Sequence, residues 1–133
     1  MTELDSFYRR YLSCCNERRL GDLATFVHDE IRFNGHPTSL SDYAAAIASN
    51  IEVVPDFHWK IEDLVVNDNT IAVRLTDTGT PQQDWLGITS TGKSMEIAEF
   101  AFYRVTDGKI AEMWFALDER AARTQLSRDD QQG

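Results

Sequence analysis

The sequence contains few of the residues from which disulfides and metal sites are built. Its 133 residues include two cysteines, which are adjacent at Cys14 and Cys15. Neighbouring side chains on a helix diverge by roughly 100°, so these two are poor disulfide partners for each other. No CxxC or Cys/His ligand spacing occurs. We therefore expect reduced thiols, no bound metal and a cytoplasmic location.

Long apolar runs and positive charge are also scarce. No stretch approaches the roughly 20 apolar residues of a membrane span, and residues 1–17 lack the basic end and apolar run of a secretory signal. Lysine and arginine number 13 against 22 acidic residues, a net charge of −9 with a pI of about 4.7. Such a field repels nucleic-acid phosphates and anionic membranes, so neither is an expected partner.

Familiar catalytic signatures are missing as well. The sequence has no G-x-S-x-G nucleophile motif, no H-E-x-x-H metal motif and no glycine-rich phosphate loop. The sequence therefore offers no motif that predicts a serine nucleophile, a metal site or a phosphate-bearing cofactor, and we expect no cofactor.

The composition itself is that of an ordinary globular domain. Hydrophobic residues make up 42% and charged residues 26% of the chain. A compact chain of this length has a radius of gyration of roughly 14 Å, which accommodates a core with one small pocket. We predict one domain over residues 1–127 and a polar tail over residues 128–133.

The hydrophobic periodicity changes from helical to strand-like along the chain. Apolar residues at i, i+3 and i+4 spacing predict early helices; we place them at residues 2–17, 22–27 and 41–51. Alternation then predicts strands, with the turns Asn67-Asp68-Asn69 and Asp107-Gly108 between them; we place them at residues 31–34, 58–66, 70–78, 94–105 and 109–117. A final helix is predicted over residues 118–126.

This segregated order indicates an α+β fold. We predict a curved antiparallel sheet wrapped around the N-terminal helices. A curled sheet closed at one end by helices leaves a cone, and the mouth of the cone is a natural ligand site.

Several segments resemble a known family. Residues 79–92 contain Gly-Thr, Trp-Leu-Gly-Ile and Thr-Gly, and residues 107–118 read DGKI-x-E-x-W-x-x-x-D. Together with Asn34-Gly35-His36, these are similar to SnoaL-like polyketide cyclases. The resemblance runs from the first helix to about Leu126.

The resemblance implies a cone of the nuclear-transport-factor-two-like type, often a homodimer through the sheet. The family's best-known members close polyketide rings by intramolecular aldol condensation without metal or cofactor. By position, the resemblance implies Asp118 as the acid/base. Here Pro81 stands where family members often have a histidine, and residues 93–118 contain no counterpart of the histidine that partners the acid in characterised cyclases.

Asp118 is also a candidate on chemical grounds. If strand alternation holds, Ile110, Glu112, Trp114, Ala116 and Asp118 share one face. Trp114 would then form an apolar wall that raises the carboxyl pKa and makes it a better base. The alternative is that Asp118, at a strand-to-helix junction, is only an N-cap.

Glu99 and His36 are the other candidate catalytic residues. Glu99 shares strand parity with Met95, Ile97, Ala101 and Tyr103, so we expect it inside. His36 and Asn34 are two apart and can point to one face as hydrogen-bond donors to a ligand, although a loop histidine is commonly only solvated.

The remaining candidates are expected to bind the substrate. Arg74 would pair with Glu99 or grip a substrate carbonyl, or it is a surface strand arginine. Aromatic side chains are expected to form core and pocket lining; those assigned to substrate binding are Trp85, Phe100, Phe102 and Trp114.

These observations predict a cofactor-independent enzyme that performs aldol or enolisation chemistry on a hydrophobic carbonyl compound. One alternative is a non-catalytic module that binds a small ligand. Another is an isomerase or dehydratase that pairs His36 with Glu99 or Asp118. A last one is a structural protein whose cone is filled.

Overall fold

The computed structural model describes residues 3–127. The predicted tail over residues 128–133 lies outside the described residues. Helix α1 (Glu3–Asn16) comes first among the described residues and is followed by a short 3₁₀ helix (Leu20–Thr25); α2 (Leu40–Val53) follows the first two strands, and α3 (Glu119–Leu126) follows the last strand. No helix among the described residues is long and apolar enough to cross a membrane.

Six strands make up the sheet in the described chain. They are β1 (Val27–Phe33), β2 (His36–Ser39), β3 (His58–Asn67), β4 (Thr70–Gly79), β5 (Met95–Thr106) and β6 (Lys109–Leu117). Their order across the sheet is β2-β1-β6-β5-β4-β3. Neighbours are antiparallel except for β1 and β6, which are parallel. The predicted α+β class is therefore confirmed, with this one parallel pair where only antiparallel pairing was expected.

The segment Gly35-His36-Pro37 does not end the strand region as predicted. Asn34 and Gly35 have φ of +49° and +85° and form a tight turn, the conformation that asparagine and glycine tolerate best. His36 therefore begins β2, which pairs with β1. Pro37 lies in this edge strand, where a missing N–H is tolerated.

Helix α1 packs its apolar stripe against the concave face of the sheet. The stripe follows the predicted spacing and is buried; it consists of Phe7, Tyr8, Tyr11, Leu12, Cys14 and Cys15. Helix α2 begins at the N-cap Ser39, whose hydroxyl accepts a hydrogen bond from the Asp42 amide at 3.0 Å. Only Tyr43 of α2 is buried, so most of the surface of this helix is partly or fully exposed.

A bulge in β6 changes which side chains face inward. Val105 pairs with Ile110 and Arg104 with Glu112, so Ala111 is the extra residue in β6. Ile110 and Met113 are buried on the concave face, whereas Trp114 and Ala116 face the other side. The expectation that Ile110, Glu112 and Trp114 share a face is therefore wrong, because a bulge interrupts strand alternation.

Candidate functional site

A cavity of about 220 Å³ lies between the helices and the concave face of the sheet. Its wall is mostly apolar and aromatic. Helices α1 and α2 line one side, and strands β3 to β6 line the other. The cavity-lining residues are Tyr11, Leu12, Cys15, Phe33, Tyr43, Ala46, Ile47, Asn50, Phe57, Trp59, Leu75, Trp85, Leu86, Glu99, Tyr103, Phe115 and Leu117.

Backbone contacts at the end of α1 hold Trp59 in place. The Asn16 side chain accepts a hydrogen bond from the Trp59 amide at 3.0 Å and donates one to the Trp59 carbonyl at 2.8 Å. Arg18 donates to the carbonyl oxygens of Pro55 and Phe57 at 3.0 Å and 2.7 Å. These hydrogen bonds fix the start of β3 against the end of α1 and hold the Trp59 indole beside the cavity.

Two acidic side chains lie together on the concave face. Asp77 of β4 is 0% exposed and Glu99 of β5 is 6% exposed. Leu75 pairs with Glu99 and Asp77 with Ile97, so the two acids are diagonal neighbours on the same face. Glu99 lines the cavity, and Asp77 lies behind it in the sheet.

Burial dominates the electrostatics of this pair. Desolvation raises the pKa of Asp77 to about 10, and the neighbouring Glu99 carboxyl group acts in the same direction. Desolvation also raises the pKa of Glu99, and the neighbouring Asp77 and Trp59 side chains, as hydrogen-bond donors, oppose that rise. Both carboxyl groups therefore bind a proton more readily than a solvated acid does.

Tyrosine hydroxyls form the other polar part of the cavity. The Tyr11 and Tyr43 hydroxyls are hydrogen-bonded to each other, and the Tyr8 and Tyr103 hydroxyls are 3.3 Å apart. Burial raises the pKa of all four phenols. Burial likewise raises the pKa of the Cys15 thiol to about 12. These groups stay protonated and neutral near pH 7, so they can serve as hydrogen-bond donors.

The long loop between β4 and β5 closes one side of the cavity mouth. Trp85 is buried, and its indole N–H donates to the Asn50 side-chain oxygen at 2.7 Å. This bond ties the loop to α2. Leu86 lies beside it, partly exposed, at the rim.

Two of the residues that the sequence singled out line the cavity. Glu99 faces inward, as its parity predicted, and Trp85 lies in the wall. Their catalytic and binding roles stay predictions.

Four of the predicted binding residues lie on the opposite, convex face of the sheet. Arg74 is exposed and forms an ion pair with Asp63 at 2.7 Å. Because strand alternation separates it from Glu99, the expected Arg74–Glu99 pair does not form. Phe100, Phe102 and Trp114 surround a shallow groove on this face. None of the four lines the cavity, so the expectation that they form its wall is not met.

Asn34 and His36 do not converge on the cavity either. The Asn34 side-chain oxygen accepts a hydrogen bond from the Phe115 amide at 2.9 Å and continues the contact between β1 and β6. His36 is exposed in the edge strand β2. The expectation that both donate into the pocket is therefore not met, because the tight turn at Asn34-Gly35 directs the chain away from it.

Asp118 is exposed at the N-terminus of α3. Its side chain accepts a hydrogen bond from the Ala121 amide at 3.1 Å, so it is the N-cap. It does not line the cavity, and Trp114 lies on the convex face rather than forming a wall around it. The N-cap alternative describes the observed geometry.

Sequence reasoning placed Tyr8 and Tyr11 among the core and pocket-lining aromatics but missed Asp77, Trp59, Tyr43 and Tyr103 as site residues. For Asp77 a signal was available, since it follows Ile71, Val73 and Leu75 at strand parity. The tyrosines lie on three separate elements, and their convergence had no local signal. Among the described residues, no group of three or more histidine, cysteine, aspartate or glutamate side chains is placed to hold a metal ion.

Comparisons with known proteins agree with this architecture. The chain aligns over 96% of its length, and over the whole of the other chain, with a SnoaL-like polyketide cyclase from Agrobacterium tumefaciens at 31% identity and a TM-score of 0.90. IdmH from Streptomyces antibioticus (19% identity, TM-score 0.85, 96% and 100% of the two chains) and TsrD from Streptomyces laurentii (23%, 0.85, 96% and 98%) share the fold.

A search of curated proteins finds no match. The family model for SnoaL-like polyketide cyclases matches residues 5–126, nearly the whole described domain. With the cone-shaped fold and the full-length similarity to the Agrobacterium protein, this match shows that the chain belongs to the SnoaL-like polyketide cyclase family.

Proposed function

We propose that the protein binds a small hydrophobic carbonyl compound in the cavity and catalyses enolisation or aldol chemistry on it, with Glu99 as the acid/base. The reaction would need no metal or cofactor. The observation that carries the proposal is a carboxyl group of raised pKa facing an apolar cavity. A base of this kind is better matched to proton transfer near neutral pH than a solvated carboxylate.

The proposed step begins with proton transfer from carbon. The Glu99 carboxylate removes a proton from a C–H bond next to a carbonyl group, and the electron pair moves to the carbonyl oxygen. A phenol on the cavity wall, from Tyr11, Tyr43 or Tyr103, donates a hydrogen bond to the resulting enolate oxygen. The enolate carbon then attacks a second carbonyl of the same molecule, and Glu99 returns its proton to the new alkoxide.

The cavity dimensions and charge favour a compact, uncharged substrate. Its volume of about 220 Å³ is below the roughly 300–1,000 Å³ typical of pockets for drug-sized ligands. No lysine or arginine is among the described cavity-lining residues, and the acidic pair holds one negative charge when it shares one proton. An anionic substrate would therefore be repelled.

Exchange of α-protons tests the proposal directly. We would incubate the protein in D₂O with uncharged one- and two-ring ketones and β-keto esters, and follow loss of the α-proton by NMR. For an accepted compound, Glu99→Gln should slow exchange by about 10²–10⁴-fold. Glu52→Gln, which makes the same change at an exposed carboxyl of α2 outside the cavity, is the matched control and should exchange at the wild-type rate.

A non-catalytic binding module is the second candidate. The observation that favours it is the position of the histidines: none of His28, His36 and His58 lines the cavity, so the acid has no histidine partner. Ligands that bind the cavity by calorimetry but undergo no exchange in the wild-type protein would support binding alone and contradict catalysis. Unchanged exchange in Glu99→Gln would exclude Glu99 as the base.

We also propose that the protein is a homodimer through the convex face of the sheet. This face carries apolar side chains that no described part of the chain covers: Val65 is 62%, Phe100 53% and Phe102 38% exposed. Arg74 and Asp63 border the same groove. An apolar patch with charges of both signs at its edge suits pairing with a second copy of itself.

A further inference from the structure

Asp77 is the most completely buried acidic side chain among the described residues. Its carboxyl group is 0% exposed, and neither oxygen has a hydrogen-bond donor among the described residues. On the sheet, Asp77 lies between Trp59 of β3 and Ile97 of β5. An ionised carboxylate in such surroundings is costly, and the acid is expected to be neutral or paired.

The partner within reach is a second acid. Two carboxylates accept hydrogen bonds but cannot donate them, so Asp77 and Glu99 can bond to each other only when one carries a proton. A single shared proton gives one of the Asp77 oxygens a hydrogen-bond partner and removes the repulsion between two negative charges.

The surroundings of the two acids decide which one holds the proton. Glu99 borders the cavity, and the neighbouring Trp59 side chain lowers its pKa by acting as a donor, since an indole N–H can only donate. A donor favours the charged form of its acceptor. Asp77 receives no such donor, so the charge belongs on Glu99 and the proton on Asp77.

We propose that Asp77 is the positioning residue of this site: it keeps the proton, donates a hydrogen bond to the Glu99 carboxylate, and holds that carboxylate at the wall of the cavity. This inference rests on the proposed function, in which Glu99 is the base. Asp77 itself does not line the cavity and does not touch the substrate.

The other ionisable groups near the pair are neutral at neutral pH. From α1 these are Tyr8 and Cys15, from α2 Tyr43, and from β5 Tyr103, each of which interacts electrostatically with Glu99. Burial raises the pKa of each. They do not supply a positive charge that would let both acids ionise.

Isotope-edited infrared spectroscopy tests which residue holds the proton, without any substitution. At pH 7 the wild-type protein should show the C=O stretching band of a protonated carboxyl group. Labelling aspartate with ¹³C at Cγ should shift this band to lower frequency, and labelling glutamate at Cδ should leave it in place. Absence of the band, or a shift with labelled glutamate, would overturn the proposal.

A pair of variants tests the positioning role. Asp77→Asn keeps a donor toward Glu99, so its pH profile of α-proton exchange should match that of the wild type. Asp77→Val is similar in shape but cannot donate, so the profile should move to higher pH by about one unit or more. If Asp77→Val loses rate but keeps the wild-type pH profile, the role of Asp77 is merely structural and the assignment is overturned. A wild-type rate and pH profile in both variants would overturn it as well.

The spectroscopic and exchange experiments distinguish a failure of the Asp77 proposal from a failure of the proposed function. If the aspartate label shifts the band but no compound undergoes exchange, the shared proton stands and the proposed enzymatic function fails. If exchange depends on Glu99 but the glutamate label shifts the band, the function stands and the role of Asp77 fails.

Discussion

At the scale of the residue, the surroundings rather than the residue type distinguish the acids of this protein. Asp118 is exposed and its carboxylate caps a helix. Asp77 and Glu99 are buried on the concave face beside aromatic side chains. The same functional group is therefore a stabilising cap in one place and a group of raised pKa in the other.

The buried Asp77 makes stability depend on pH. An aspartate in an unfolded chain has a pKa of about 4, whereas that of Asp77 is raised to about 10. Below the lower value both states bind the proton, and the contribution of Asp77 is fully present. As pH rises, the unfolded state releases a proton that the folded state keeps, so stability falls.

We predict that this contribution falls by up to about 1.4 kcal/mol per pH unit across that window. The free energy of unfolding, measured by urea denaturation between pH 5 and pH 9 (roughly the middle of the window), should fall more steeply for the wild type than for Asp77→Asn. Exposed acids and overall charge affect both proteins equally, so the difference isolates Asp77. Parallel pH dependences would contradict the prediction.

At the scale of the element, the ends of helices and the bulge in β6 determine which residues reach the site. Ser39 and Asp118 cap α2 and α3. The bulge at Ala111 directs Phe115 and Leu117 toward the cavity and Trp114 away from it. A single extra residue thus decides which side chains of β6 line the cavity.

The cap at Asp118 gives a prediction that separates a structural from a catalytic role. Asp118→Ala should lower the free energy of unfolding by about 1 kcal/mol, whereas Asp118→Asn, which still caps, should leave it nearly unchanged. Thermal and urea denaturation would measure this. The rate of α-proton exchange should be the same in Asp118→Asn as in the wild type. A large loss of exchange in that variant would return the acid/base role to Asp118.

At the scale of the whole molecule, the two faces of the sheet differ in what covers them. The concave face packs against α1 and encloses the cavity. The convex face leaves Val65, Phe100 and Phe102 uncovered by the described chain. Stable interfaces bury on the order of 1,200–2,000 Å² in total, which a paired six-stranded sheet can supply.

We predict that Phe100→Asp converts a dimer to a monomer, because it places a charge at the centre of that apolar face. Sedimentation velocity would measure the change. Leu86→Asp is the matched control: it also adds a charge at an exposed apolar residue, but on the loop at the cavity mouth, so it should remain dimeric. A monomeric wild type, or a dimeric Phe100→Asp, would contradict the proposed interface.

Much of the architecture follows from local patterns in the sequence. The i, i+3, i+4 stripe of α1 and the turns at Asn67-Asp68-Asn69 and Asp107-Gly108 have local causes, and the structure contains α1 and both hairpins. The parity of Glu99 with Ile97 and Tyr103 correctly predicted that it faces inward. The same parity also predicts that Asp77 faces inward, since it follows Ile71, Val73 and Leu75 at alternating positions of β4.

The sequence by itself determined the order of the main elements apart from β2, the family and the inward orientation of Glu99, since each depends on neighbours along the chain. Only the tertiary structure decided that Asp118 lies outside the cavity, that Phe100 and Trp114 lie on the convex face, and that Asp77 meets Glu99. These outcomes depend on how the sheet curves, where β6 bulges and which side the helices cover. Such choices are made by packing between distant segments, and no local pattern encodes them.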